Sequence, residues 1–438
     1  MPPVESILQK YASVIQSATT VETIGRITQV TGLVLESQGP QAPIGEVCVL
    51  RNRFGDEVCR SEIVGFKDNK ILSMVLGDLE SIEPGMEIAA SGTTLTVEVG
   101  NNLLGRILDG LGKPMDGKGS LKNTSSRSIY SQPPNPLLRK RINEHMATGV
   151  RAIDGLLTLG KGQRVGIFAG SGVGKSTLLG MIARNATADV NVIALIGERG
   201  REVRDFIEED LGEEGLKRSV VIVATSDMPA LVRVKAPLIA TAIAEYFRDQ
   251  GLDVMLMMDS VTRLAMAQRE IGLTIGEPPT TKGYTPSVFA LLPKLMERAG
   301  TSDVGTITAL YTVLVEGDDM NEPIADAARG ILDGHIVLSR RLAAMGHYPA
   351  IDVLESVSRV MKDVISPQHR IDAQNMKEML AAYREAEDMI SVGAYQKGAN
   401  SMVDKAMELR TLTREFLRQE VEDPTNFQEI VEQLTEFR

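Results

Sequence analysis

The sequence predicts an α/β protein: a P-loop core on a parallel sheet, preceded by a small β-barrel and followed by a helical domain. Three observations predict it. Between about 150 and 345, apolar runs near 164–168, 190–196, 219–224, 253–258 and 304–315 alternate with helical stretches, and continuous apolar strands of that kind belong to a parallel sheet covered on both faces. From about 22 to 95 the runs are short, β-rich and punctuated by turns, as in Gly32-Leu33-Val34-Leu35, Glu46-Val47-Cys48-Val49-Leu50 and Ile71-Leu72-Ser73-Met74-Val75-Leu76, the pattern of a small barrel. Beyond about 365 the period becomes helical, with Met376, Met379, Leu380, Tyr383, Ala386 and Ile390 on one stripe that reads as a core face.

The elements follow in order. At 438 residues the chain exceeds what one core supports. Val4, Ile7, Leu8, Tyr11, Val14 and Ile15 form a helical stripe, so a terminal helix is expected over 1–20, either docking a partner or packed as a plain terminus. The barrel is expected over 21–95, the parallel-sheet core over 96–347 and the helical domain over 348–438. Gly105 to Pro114 and Gln132-Pro133-Pro134-Asn135-Pro136 read as a loop-rich passage between the first two. Arg139-Lys140-Arg141 beside it reads as solvated surface.

Composition narrows the class. With 43% hydrophobic residues, nearly all of the chain should fold. There is no signal pattern and no apolar run near 18 residues, which predicts a cytosolic protein. Cys48 and Cys59 lack His or Cys partners at zinc spacing and read as reduced thiols. The net charge of −11 argues against a nucleic-acid track.

The chemistry gathers around Ala169-Gly170-Ser171-Gly172-Val173-Gly174-Lys175-Ser176-Thr177, which lies between an apolar strand and a helical stretch. Glycines let backbone N–H groups turn inward around a phosphate, and the following helix N-terminus favours negative charge. Lys175 then reaches the β- and γ-phosphates of ATP, and Ser176 offers its hydroxyl to Mg²⁺. The strict pattern has Gly where Ala169 stands. In a parallel sheet the C-terminal strand ends share one edge, so Asp259, directly after Val254-Met255-Leu256-Met257-Met258, is placed to hold Mg²⁺ through its water shell. Glu198, after Ala194-Leu195-Ile196-Gly197, either polarises the attacking water or caps the next helix, and the residues alone leave both open.

Three motifs resemble the catalytic subunits of the rotary ATPase superfamily: the glycine loop, Gly197-Glu198-Arg199-Gly200-Arg201-Glu202-Val203, and Pro349-Ala350-Ile351-Asp352-Val353-Leu354-Glu355-Ser356-Val357-Ser358. Within it, the Gly-Arg-Glu-Val form of the glutamate motif and Gly276-Glu277-Pro278-Pro279-Thr280-Thr281-Lys282-Gly283-Tyr284-Thr285-Pro286-Ser287-Val288-Phe289 resemble type III secretion ATPases, the flagellar export kind in particular. The resemblance runs from about residue 20 onward. It implies a RecA-like core in which Lys175, Ser176, Asp259 and Glu198 act on phosphate, metal and water, with Arg199 as a supporting charge. It further implies that Tyr348 packs on adenine and that Arg359 is an arginine finger inserted into a neighbour's site. Read alone, Tyr348 is an ordinary half-buried tyrosine and Arg359 a surface ion pair. The stretch Gly272 to Tyr284 reads as structureless, either a surface connection or the lining of a ring's pore.

The implied function is ATP hydrolysis in a homo-hexameric ring that drives protein export. Its implied partners are regulatory and stalk proteins, export chaperones, cargo and a membrane-embedded export gate, without nucleic acid. The implied location is the cytoplasm, at the inner face of the cell membrane. A catalytic subunit of a proton-translocating rotary ATPase is the alternative in mechanism, and an RNA-translocating hexameric helicase the alternative in class. Gly200-Arg201 after the Glu-Arg pair favours export over the former. The acidic balance and the lack of aromatics interleaved with Lys or Arg in 22–95 weigh against the latter.

Overall fold

A computed structural model describes residues 22–77, 82–315, 317 and 319–438. The helix expected over 1–20 lies outside the described residues. The chain divides into two compact units, 1–95 and 96–438.

In the first unit six antiparallel strands, β1 (Ile24–Thr31), β2 (Val34–Gln38), β3 (Glu46–Arg51), β4 (Glu57–Lys67), β5 (Lys70–Val75) and β6 (Glu87–Thr94), close in the order β1-β2-β5-β4-β3-β6. Closure leaves no free strand edge. Ile27, Leu35, Cys48, Leu50, Ile63 and Ile88 fill the interior. Asp68 and Asn69, both at positive φ, make the two-residue turn that sets Lys67 opposite Lys70, a turn type that favours Asn and Asp for their tolerance of that conformation.

The second unit is built on β7 (Arg106–Asp109), β8 (Arg164–Ala169), β9 (Val190–Ile196), β10 (Ser219–Ala224), β11 (Asp253–Asp259), β12 (Thr306–Leu314), β13 (Gly334–Leu338) and β14 (Ile351–Ser358). Their order across the sheet is β14-β13-β8-β12-β11-β9-β10-β7, with Gly300–Thr301 a short addition beside β12. All neighbours on this path are parallel except β13 and β14. Every residue of β9 and β10 is buried, as two covered faces require.

Three elements differ from expectation. Arg106–Asp109 is the far edge strand of the sheet, hidden in the sequence because it is four residues long and runs directly into a turn. In that turn the Asp109 carboxylate accepts from the N–H groups of Leu111 and Lys113. Ile351–Ser358, placed by sequence at the start of the helical domain, is the opposite edge strand. Arg139 is not solvated: its guanidinium donates to the Ala299 carbonyl at 2.9 Å.

Helices α1 (Lys175–Asn185), α2 (Gly200–Asp205), α3 (Ala230–Arg248), α4 (Val261–Ile275) and α5 (Arg340–Ala344) join the sheet's strands, and α6 (Pro367–Ser391), α7 (Ser401–Glu408), α8 (Arg410–Leu417) and α9 (Phe427–Leu434) follow it. The apolar stripe of α6 is a core face: Met376, Met379 and Ala386 are buried, Met376 and Met379 in the same cluster as Ile167 and Leu195 of the sheet. After α2 the chain continues as a π-helical segment, Phe206–Leu211, that packs on α1. There a Cβ on Gly180 would lie 2.6 Å from the Asp210 carbonyl oxygen, and the Thr177 hydroxyl bonds the Asp210 carboxylate. The helix that begins at the glycine loop is thus held to the segment that follows Glu198.

Gly180→Ala tests that contact. Helix propensity alone would stabilise by about 1 kcal/mol, whereas overpacking against backbone costs about 1–3 kcal/mol. The expected outcome is a lower urea midpoint at unchanged slope, and a raised midpoint would refute the close packing.

Candidate active site

The edge formed by the C-terminal ends of the parallel strands collects the polar residues singled out in sequence. β8 ends at Ala169, which pairs with Leu314 and Leu338 and is 1% exposed. A methyl group fits that strand position, which explains why Ala replaces the usual Gly. The next glycines are needed for two different reasons. Gly172 and Gly174 have φ of 78° and 86°, a region that L side chains avoid. At Gly170 a Cβ would lie 2.5 Å from Nε of Arg340, so only Gly lets that guanidinium approach the loop.

Lys175, in the first turn of α1, donates to Asp259 Oδ1 at 2.5 Å and lies 3.6 Å from Glu198 Oε1. All three side chains are largely buried. Thr312, on β12 beside Asp259, donates its hydroxyl to the same Oδ1 at 2.8 Å. Burial, first, and then the neighbouring Asp259 and the bond to Glu202 push the Glu198 carboxyl up to about 7, while Lys175 and Arg263 pull it back. The bonded Glu202 carboxyl is lowered in turn, chiefly by Glu198.

Arg199 does not enter this cluster. Its side chain is 80% exposed and stands 3.5 Å from Glu202. The arginine packed beside the glutamate motif is Arg263 on α4: a Cβ on Gly197 would lie 2.9 Å from Cβ of Arg263, and the Arg263 Nε is buried without a hydrogen-bond partner. Thr312, Arg263 and Arg340 escaped the sequence reading. For Thr312 a signal existed, a hydroxyl in an otherwise apolar strand run; Arg263 and Arg340 had none.

Tyr348 borders the loop, with ring carbons 3.5 Å from where a Cβ on Gly174 would stand, and is 47% exposed. Its carbonyl accepts from the Gln419 N–H at 3.0 Å. Ser176 is exposed at the start of α1. Arg359 lies elsewhere. Leu338 pairs with Ala169 and with Ile351, but Gly334 pairs with Ser358, so Arg359 adjoins the N-terminal end of β13. Four strand residues, or about 13 Å, separate that end from the glycine-loop edge. The stretch from Gly272 is also partly regular. α4 runs through Ile275, and the loop beyond it is tied down where Thr280 Oγ1 donates to the Tyr284 carbonyl at 2.6 Å and Lys282 pairs with Glu322 at 3.0 Å.

Comparison with known proteins finds similarity along nearly the whole chain. Residues 149–358 match the nucleotide-binding domain of the ATP synthase alpha/beta family, residues 27–92 its beta-barrel domain, and residues 365–436 the T3SS EscN ATPase C-terminal domain. The chain is 55% identical to a "Flagellum-specific ATP synthase" of Bacillus subtilis (strain 168), covering 98% of each. It is 51% identical to a "Type 3 secretion system ATPase" of Xanthomonas euvesicatoria, over 94% of this chain and 93% of that one. The assembled ATPase EscN from the enteropathogenic E. coli type III secretion system superposes with a TM-score of 0.89 at 45% identity, over 94% of this chain and 99% of that one. EscN solved in complex with its central stalk EscO gives 0.87 at the same identity and coverage.

Thr312→Val should remove one donor from a buried carboxylate and destabilise the protein by about 1–3 kcal/mol. Chemical denaturation reads the loss, and an unchanged midpoint would show that Asp259 does not depend on the hydroxyl.

Proposed function

Because this chain belongs to the ATP synthase alpha/beta family, in its type III export branch, we propose a mechanism in which its glycine-loop edge hydrolyses ATP and its far edge completes a neighbour's site. The chain is an export ATPase. The observation that carries the mechanism is the buried set Lys175, Asp259 and Glu198 beside the glycine loop.

Nucleotide phosphates bind the loop N–H groups and draw Lys175 from its carboxylate partners, one set of anions replacing another. Glu198, as the carboxylate, orients and polarises the attacking water. Mg²⁺ fits the donor set present. Ser176 and Asp259 offer hard oxygens, and an ion that keeps waters and phosphate ligands needs no protein cage; among the described residues no cluster of three His, Cys, Asp or Glu forms one. When bound, the ion neutralises charge on the transferring phosphoryl group. Tyr348 offers its exposed ring face to adenine, and Arg199 acts on the Glu198–Glu202 pair from outside.

Arg359, remote from its own chain's loop, serves the site of the next subunit. Every chain carries both Glu198 and Arg359, so each interface of a homo-hexamer is a complete site. The complex of EscN with its stalk supports a stalk partner for this ring. We read the apparatus as flagellar on the 55% identity to the Bacillus subtilis relative; the other flagellar relatives, at 44–51%, overlap with type III secretion ATPases at 45–52%. Regulators, export chaperones, cargo and a membrane-embedded gate then complete the system at the inner face of the cell membrane.

Two experiments test this. The raised Glu198 carboxyl places the acid limb of kcat/KM near pH 7, with activity falling as pH drops because protonation removes the base. Glu198→Gln should bind ATP and nearly cease turnover at every pH. A wild-type limb near the usual carboxylate range, or an active Gln variant, would remove Glu198 from the mechanism. Arg359→Ala should lose about 10³–10⁵ in rate while still binding ATP. Mixed with Glu198→Gln in rings verified by size, it should recover partial activity at interfaces that join an intact Glu198 to an intact Arg359. High activity of Arg359→Ala by itself would rule out the finger.

A further inference from the structure

A cavity of about 280 Å³ opens between the Arg341–His347 segment, β14 and helices α6, α7 and α8, and no residue of the glycine loop lines it. Its floor is apolar, with Leu342, Leu354, Met379, Leu380 and Leu417 among the lining. Its polar groups divide into satisfied and unsatisfied. Arg384 is paired with Asp352 at 2.7 Å and Arg341 with Glu387 at 3.1 Å. Arg410 stacks over the Tyr383 ring at 5.4 Å, and neither Arg410 nor Arg414 has a carboxylate within ion-pair distance among the described residues.

Deeper in the wall, Thr413 Oγ1 and Arg418 Nε are buried without a hydrogen-bond partner, and Thr413 is only 8% exposed. Nine such side-chain atoms occur among the described residues, and two of them belong to residues of this one cavity, set behind its accessible surface. Buried polar atoms are ordinarily satisfied, so an orphan pair marks this wall as loosely bonded. Burial keeps His347, also in the wall, below the usual histidine range, so it lines the space as neutral imidazole.

We propose that this cavity is a second binding site, for a small organic anion with an apolar ring or branched body and one carboxylate, sulfonate or phosphate group. The volume lies at the small end of ligand pockets. The body fills the apolar floor and stacks against Tyr383, and the acidic group meets Arg410 and Arg414. The wall also leads to the nucleotide. Arg418 donates to the carbonyls of Met345 and Gly346, at 3.2 and 2.9 Å, and the next residue, Gln419, holds the carbonyl of Tyr348. Occupancy therefore moves or stiffens the segment that carries Tyr348 to Gly174 and alters nucleotide affinity; this last step rests on the proposed nucleotide site.

The probe is 1-anilinonaphthalene-8-sulfonate, titrated into the full chain by fluorescence beside its uncharged counterpart N-phenyl-1-naphthylamine. Arg414→Glu, an exposed position whose fold is checked by thermal unfolding, should weaken the sulfonate about tenfold. Arg370→Glu, an exposed arginine of α6 outside the cavity, should leave it unchanged. The uncharged compound should bind more weakly than the sulfonate and ignore both substitutions. Equal sulfonate binding by wild type and Arg414→Glu, or equal loss in Arg370→Glu, overturns the site. Calorimetric ADP affinity should shift about fivefold or more with saturating sulfonate in the wild type and not in Arg414→Glu, and an unshifted wild type overturns the coupling. A chain that binds no ADP at all refutes the nucleotide site instead, and the sulfonate titration still decides the cavity.

Discussion

Everything at the catalytic edge depends on one buried ammonium. Lys175 sits among Asp259, Glu198 and, one hydrogen bond further out, Glu202. Burial and the neighbouring Asp259 hold the Glu198 carboxyl above the usual carboxylate range, Lys175 offsets part of this, and the bond between Glu198 and the half-exposed Glu202 lowers the latter. Taking the lysine away would leave buried negative charge unbalanced, which typically costs about 3–5 kcal/mol. The cluster is therefore a structural keystone and, in the proposed mechanism, the place where phosphate replaces the carboxylates. The same ammonium serves in both states.

That keystone is aimed by packing well behind it. Gly180 brings α1 against the π-helical segment, and the Thr177–Asp210 bond fixes their register. The glycine loop opens one of these elements and Glu198 lies one short helix, α2, before the other, so relative movement between them would change the Lys175–Glu198 separation. π-Helical segments are often found at functional sites, and here one lies between the glutamate motif and the rest of the fold.

Sheet polarity separates the two groups of residues that the proposed mechanism combines. Parallel strands put Lys175, Glu198, Asp259 and Tyr348 at one edge, and the antiparallel edge strand β14 carries the chain back to the other before Arg359. A signature contiguous in sequence, Tyr348 to Arg359, thus spans the sheet from one edge to the other. The geometry makes a single chain incomplete for a reaction that needs both ends, and this is the physical basis for reading catalysis as a property of an assembly.

The strands at 190–196 and 219–224 were legible to the residue because buried parallel strands are continuous apolar runs with sharp ends. The glycine loop, Glu198 and Asp259 were legible because loop chemistry and strand ends are local. Arg106–Asp109 was not, since four residues between turns carry too little periodicity to distinguish a strand from a loop. Nor were Arg263, Arg340 and Thr312, which reach the site from α4, α5 and β12, or the exposure of Arg199. The sequence by itself determined which residue types gather at the strand edge, because hydrophobic period and backbone demands act within a few residues. Only the tertiary structure decided which charges touch, which arginine lies beside Glu198 and which edge Arg359 occupies. Those depend on strand order and direction, set by pairing between segments as far apart in the chain as Gly166 and His335.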